Sequence, residues 1–203
     1  MRSLQRFIII AIALAGTLAC GAEDPAIKLR STIDAALDAL YGDCCANQSD
    51  AEKRAAVREV LESSYDFTVI IRYATGTNWK RMQDDEQERF VSLIKELVLK
   101  TYVEGLDGKE RPELQYGKTK LAGKRSEVPM VVSLDGKDYR AVYRFAMRQT
   151  GWEIYDIVVE DISIGKNYRE QFNDHFRKGT AAELLEKLEK LLEEENLDEK
   201  IAL

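Results

Sequence analysis

The sequence predicts an α+β fold, with helices packed around a curled four-stranded antiparallel sheet that encloses an apolar cavity. Three observations predict it. Apolar residues recur at helical spacing up to about residue 106 and again after residue 164. Between those stretches they alternate with a period of two, broken by tight-turn signals. Finally, the helices and strands carry more apolar surface than one thin core needs, which points to an apolar ligand, and the cavity that would hold it follows by analogy of fold. A large ordinary core is the alternative reading of the same surplus.

The elements follow in order. "EDPAIKLRSTIDAALDALYGDC" reads as a helix with Pro25 in its first turn and Ile27, Ile33, Leu37 and Leu40 at helical spacing. "NQSDAEKRAAVREVLESSY" is a second helix, capped by Ser49 or Asp50, with Val57, Val60 and Leu61 as its apolar face. "YDFTVIIRYATGTNWKRM" is a short apolar helix that stops at Gly76. The longest helix runs from about Asp84 to Leu106, with an apolar arc wide enough to be buried on more than one face.

Four strands come next: "ELQYGKTKLAG", "SEVPMVVSLDGKD", "YRAVYRFAMRQTG" and "WEIYDIVVEDI". In the third, Tyr139, Ala141, Tyr143, Phe145 and Met147 point one way and Arg140, Arg144 and Arg148 the other. Asp135-Gly136 and Thr150-Gly151 are turn signals, so the strands form a meander. The fourth is apolar on both faces, so it is expected to be central and covered on both sides. Two helices close the chain: "GKNYREQFNDHFRK", stopped at Gly179, and the amphipathic "TAAELLEKLEKLLEEE". Helices on the concave face of such a sheet are similar to a cone of the NTF2 type, by analogy of fold.

Residues 1–22 read as a secretory signal peptide, with Arg2 and Arg6 before the apolar run "FIIIAIALAG". Thr17-Leu18-Ala19 before Cys20 also permits cleavage at Cys20 with lipid attachment there, whereas Cys20-Gly21-Ala22 permits ordinary cleavage. Residues 23–203 then form a single domain, large enough to bury roughly 70% of its surface. The chain has a net charge of −6, and losing the first 22 residues, with two Arg and no acid, takes it to −8. That charge argues against nucleic-acid binding and against more than transient membrane contact. Once Cys20 is removed or lipidated, only Cys44 and Cys45 remain, and a disulfide between neighbours is strained. No metal site is expected.

Catalytic vocabulary is sparse. The chain holds one His, His175, and no Gly-x-Ser-x-Gly, His-Glu-x-x-His, phosphate-loop or dinucleotide pattern. Asp156 and Asp161 read either as a carboxylate pair or as a satisfied polar contact beside a strand-end turn. No enzyme and no cofactor are expected.

Three blocks carry a family resemblance. "YDFTVIIRYATGTNW" (65–79), "QERFVSLIKELVLKTYVEGL" (87–106) and "GWEIYDIVVEDISIGKNYREQF" (151–172) resemble, in order, the Asp-Phe segment, the long central helix, and the Trp-x-x-x-Asp strand with its Asn-Tyr-Arg-x-x-Phe junction of the MlaC family, also called toluene-tolerance auxiliary proteins. The resemblance spans roughly residues 27–192. The family usually has Gly where Asp161 stands, and Leu-Gly where Thr75-Gly76 stands.

The resemblance implies an MlaC-like fold and a periplasmic phospholipid carrier. Its partners would be an inner-membrane ABC transporter complex with MCE domains and an outer-membrane lipoprotein complex. It also implies a site. Phe90, Ile94, Leu97, Val98 and Tyr102 of the long helix would face Val132, Tyr143, Phe145, Tyr155 and Val158 of the sheet across a cavity of about 1,000 Å³. Tyr168 and Phe172 would close one side, with Asn167 and Arg169 at the head-group mouth. Tyr168 and Phe172 read equally as ordinary core, and Arg169 as an ion pair with a carboxylate such as Asp156. An NTF2-like enzyme for a small apolar substrate and a lipid-anchored envelope scaffold stay open as alternatives.

Overall fold

The computed structural model describes residues 24–42, 48–106 and 109–194, with side chains from 102 to 106 outside the description. The segment read as a signal peptide, Cys20, Cys44, Cys45 and the Tyr102 side chain therefore lie outside the described residues.

Helix α1 (Pro25–Tyr41) is started by Asp24, whose side chain accepts from the Ala26 N–H, and Pro25 occupies the first turn where its missing N–H costs nothing. Helix α2 (Asp50–Ser64) opens with a capping box in which Ser49 and Glu52 satisfy each other's backbone N–H groups. Helix α3 (Phe67–Thr75) ends at Gly76, whose φ of +60° suits glycine. A 3₁₀ turn (Gly76–Arg81) then leads into α4 (Asp84–Leu106).

The sheet follows: β1 (Glu113–Tyr116), β2 (Lys120–Ala122), β3 (Arg125–Leu134), β4 (Lys137–Arg148), β5 (Gly151–Val159) and β6 (Ile162–Ser163), all antiparallel in the order β1-β3-β4-β5-β6, with β2 also on β3. Among the described residues, six strands thus replace the four expected. Gly117 splits the first strand in two, packing 3.2 Å from the Pro129 side chain where any Cβ would stand, and the last strand folds back as the two-residue β6. Strand β5 is not central either, since only β6 lies beyond it; helices α3 and α5 (Ile164–Lys178) cover it instead. Helix α6 (Ala181–Glu193) closes the fold, with a second capping box between Thr180 and Glu183.

A β-bulge decides which residues share a face. Arg144 pairs with Asp156 while Phe145 pairs with Ile154, so Tyr155 is the extra residue on β5. Strict alternation across "WEIYDIVV" puts Val158 on the side of Ile154. The bulge instead brings Ile157 and Val159 onto the face of Ile154, opposite Tyr143 and Ala141, and sends Val158 to the other face beside Val142.

Apolar side chains collect in three clusters. Phe90 and Leu97 of α4 join Ile71, Phe172, Phe176, Leu184 and Leu188 in an interhelical core. Val128, Phe145 and Trp152 of the sheet join Leu29 of α1 and Tyr65. Ala36, Val57 and Leu99 hold α1, α2 and α4 together. Helix α4 therefore packs chiefly on α6, α2 and α3, and it is α1 that covers the sheet core. This corrects the expectation that α4 faces the strands directly. Ile27, predicted on the inner face of α1, is 58% exposed, and Leu29 is buried in its place.

Candidate functional site

The junction from β5 to α5 explains the block "SIGKNYREQF". Asp156 is wholly buried, and it accepts hydrogen bonds from Arg144 (3.1 Å), the Ser163 hydroxyl (2.8 Å) and the Gly165 N–H (3.0 Å). Ser163 also caps α5 by accepting from the Lys166 N–H. Desolvation pulls the Arg144 guanidinium down, but hydrogen bonds to Glu127 and Asp156 outweigh it and hold the group above its ordinary value. Gly165 lets α5 approach α3, because a Cβ there would sit 2.7 Å from the Tyr73 ring and 2.9 Å from the Asp156 carboxylate.

Arg169 continues the same joint. It donates to the Tyr73 carbonyl, and its guanidinium lies 4.4 Å from the centre of that ring. Its Nε is buried against Gly76 with no hydrogen-bond partner among the described residues. Arg169 therefore does not pair with Asp156, whose acceptor positions serve Arg144, Ser163 and Gly165. Asp161 stands exposed in the β5–β6 turn at φ +66°, 3.6 Å from Arg140, so the carboxylates at 156 and 161 do separate jobs.

The other sequence-predicted positions fall into groups. Phe90, Leu97 and Phe172 are buried together, with Ile94 and Tyr168 half-buried beside them; Phe90 meets Phe172 edge-on at 5.4 Å and Tyr168 stacks on Phe172. Val132, Tyr143 and Phe145 share the sheet face that pairs with Ile154 and Ile157. Burial pushes the Tyr143 phenol up to about 12 and raises Tyr168 as well. Tyr155 packs on Tyr73 at 5.2 Å and under Arg125. Val158 lies on the opposite sheet face, Val98 is 46% exposed, and Asn167 is exposed beside Ser163 and Lys166.

Three open depressions are lined by described residues. One of about 390 Å³ lies on the outer sheet face, where Pro129, Val131, Val142 and Val158 form an apolar floor beside Arg140. Another, of about 310 Å³, is polar and touches Asn167, Lys166 and Glu170. The third, of about 360 Å³, lies between α1 and β1, lined by Arg30, Asp34, Leu37, Arg111, Pro112, Leu114 and Tyr116. Sequence reasoning missed this last group. Its members come from segments some 80 residues apart, and only the i, i+4, i+7 spacing of Arg30, Asp34 and Leu37 hinted at a shared face.

The MlaC protein family matches residues 30–190. The chain belongs to the MlaC family. Among solved structures, the phospholipid-binding protein from Ralstonia solanacearum, in complex with a phospholipid, is similar to this MlaC protein with a TM-score of 0.71 at 20% identity. The match covers 84% of this chain and 97% of that one, so the two share their fold over nearly the whole of the second. No curated protein matches the sequence significantly. Among the described residues of this MlaC protein, no helix is long and apolar enough to cross a membrane.

Proposed function

We propose that this MlaC protein is a periplasmic phospholipid carrier, which holds the acyl chains of its cargo between the helical core and the sheet core. The family match over residues 30–190 carries the reading. A shared fold with a protein solved in complex with a phospholipid supports it. So do the half-buried apolar groups at the edge of each core: Ile94 and Tyr168 against the helical one, Tyr143 and Ile154 against the sheet one.

The physical need is plain. Each methylene exposed to water costs about 0.8 kcal/mol, so a lipid with about 30 of them loses more than ~20 kcal/mol on leaving a bilayer unaided. A carrier offers apolar side chains instead and leaves the head group wet. No covalent step is involved, and direction is set by partners of higher or lower affinity. In this reading those partners are an inner-membrane MCE-domain ABC transporter complex and an outer-membrane lipoprotein complex. Both carboxylates that are buried among the described residues are committed to structure. Asp156 is bound as described, and Glu153 accepts from the Asp66 N–H and the Thr150 hydroxyl. Neither is available as the general base that an NTF2-like enzyme would need.

Native mass spectrometry of the purified mature protein, followed by organic extraction, tests the proposal. A mass increment of one or two diacyl phospholipids is expected. A bare polypeptide that takes up no lipid from added vesicles would sink it.

A further inference from the structure

The depression between α1 and β1 has a chemistry that nothing above has used. Arg30 lies with its guanidinium 4.6 Å from the centre of the Tyr116 ring. Among the described residues it has no carboxylate within ion-pair distance, and Asp34, one turn further along α1, has no cation within that distance. Across the depression, Arg111 gives one arm to Asp38 at 2.6 Å and keeps the remaining N–H groups of its fork. The Tyr116 hydroxyl is buried and has no hydrogen-bond partner among the described residues. Burial, and next the negative field of Asp34, push its phenol up to about 12, so it stays a neutral O–H donor. Leu37, Pro112 and Leu114 also line the depression, whose exposed wall is mostly polar. Tyr116 itself packs against the core beneath the sheet.

The set is therefore donors for an anion and one unpaired carboxylate for a cation, in a mostly polar lining. Two guanidinium groups and a phenol suit phosphate oxygens, for which arginine is the favoured partner. Asp34 suits an ammonium group a few bonds away. A space of about 360 Å³ is too small for two acyl chains but holds a compact polar group. The geometry points to the site of a zwitterionic phospholipid head group, with the phosphate between Arg30 and Arg111 and the amine at Asp34. This rests on the carrier reading and deepens it, since it names which head group is preferred.

The test loads delipidated mature protein from vesicles of equal phosphatidylethanolamine and phosphatidylglycerol with matched chains, and reads the bound ratio by mass spectrometry. The wild type is expected to favour the ethanolamine lipid about three- to five-fold, the scale of an exposed ion pair. Asp34→Asn should return the ratio to that of the vesicle, and Asp34→Lys should tip it toward the glycerol lipid. Arg30→Gln should lower the loading of both. Asp34 and Arg30 are exposed, so the variants keep the fold, and a circular dichroism melt checks it. Loading at the vesicle ratio that none of the variants changes overturns the head-group site and leaves the carrier reading standing. No loading of either lipid overturns both. Inorganic phosphate binding to the delipidated protein as tightly as glycerophosphoethanolamine would show a site for free phosphate and also overturn the assignment.

Discussion

The carboxylate of Asp156, wholly buried in β5, lies 3.1 Å from the guanidinium of Arg144 on the next strand. The two are register partners at the bulge, so the ion pair marks the place where strand alternation is broken. Removing one member of a buried pair strands the other. Asp156→Ala is expected to lower stability by about 3–5 kcal/mol, and Asp156→Asn by less because it keeps an acceptor for Ser163 and Gly165. Urea denaturation of both variants beside Arg144→Met measures it. A midpoint unchanged in Asp156→Ala would mean that the joint is held by something else.

Gly165 tests the α3–α5 contact from the opposite direction. An added methyl group meets the Tyr73 ring at 2.7 Å, and a ring anchored by Tyr155 has little room to yield. Gly165→Ala should cost about 1–3 kcal/mol, as overpacking does. If its unfolding midpoint matched the wild type, α5 would sit further from α3 than described.

Core and cargo positions should separate in one pair of variants. Phe172 is 2% exposed between Phe90 and Tyr168, so Phe172→Ala should lose about 3–5 kcal/mol. Val98 is 46% exposed, so Val98→Gln should change stability by no more than about 0.5 kcal/mol while weakening lipid loading. Thermal melts paired with vesicle-loading assays read both. Undiminished loading in Val98→Gln would remove that residue from the acyl wall expected from the sequence.

Helix α6 should carry an acid-sensitive cap. Backbone and hydroxyl hydrogen bonds from Thr180 hold the Glu183 carboxylate below its ordinary 4.5. A carboxyl lowered in the folded state stabilises it above the unfolded value and loses that contribution as pH falls through the folded one. Melting temperatures of the wild type and Glu183→Gln should therefore differ at pH 7 and draw together as the pH falls below the ordinary 4.5. A difference that does not shrink at all across the acid range would show that the cap does not depend on charge.

Much of this was legible in the residues. Helix ends were written in Pro25, Ser49, Gly76 and Gly179, and β4 in its alternating aromatics and arginines, because caps, turns and pleats act over a few neighbouring positions. The bulge at Tyr155 was not, since a single inserted residue changes parity without changing composition. Hence Val158 was expected among residues on the other side of the sheet. Arg169 was legible as a residue at the β5–α5 corner, but its partner, the Tyr73 carbonyl, is a backbone group that no side-chain pattern announces.

By itself the sequence determined the α+β order of elements, their caps, and the family blocks at residues 65–79, 87–106 and 151–172. These depend on local spacing and on residue identity. Only the tertiary structure decided that α1 rather than α4 lies on the sheet core, that Asp156 belongs to Arg144, and that Arg30, Asp34, Arg111 and Tyr116 share one depression. The reason is that packing between distant segments is settled by complementary shape and by pairing of buried charge, and neither is a property of any one segment.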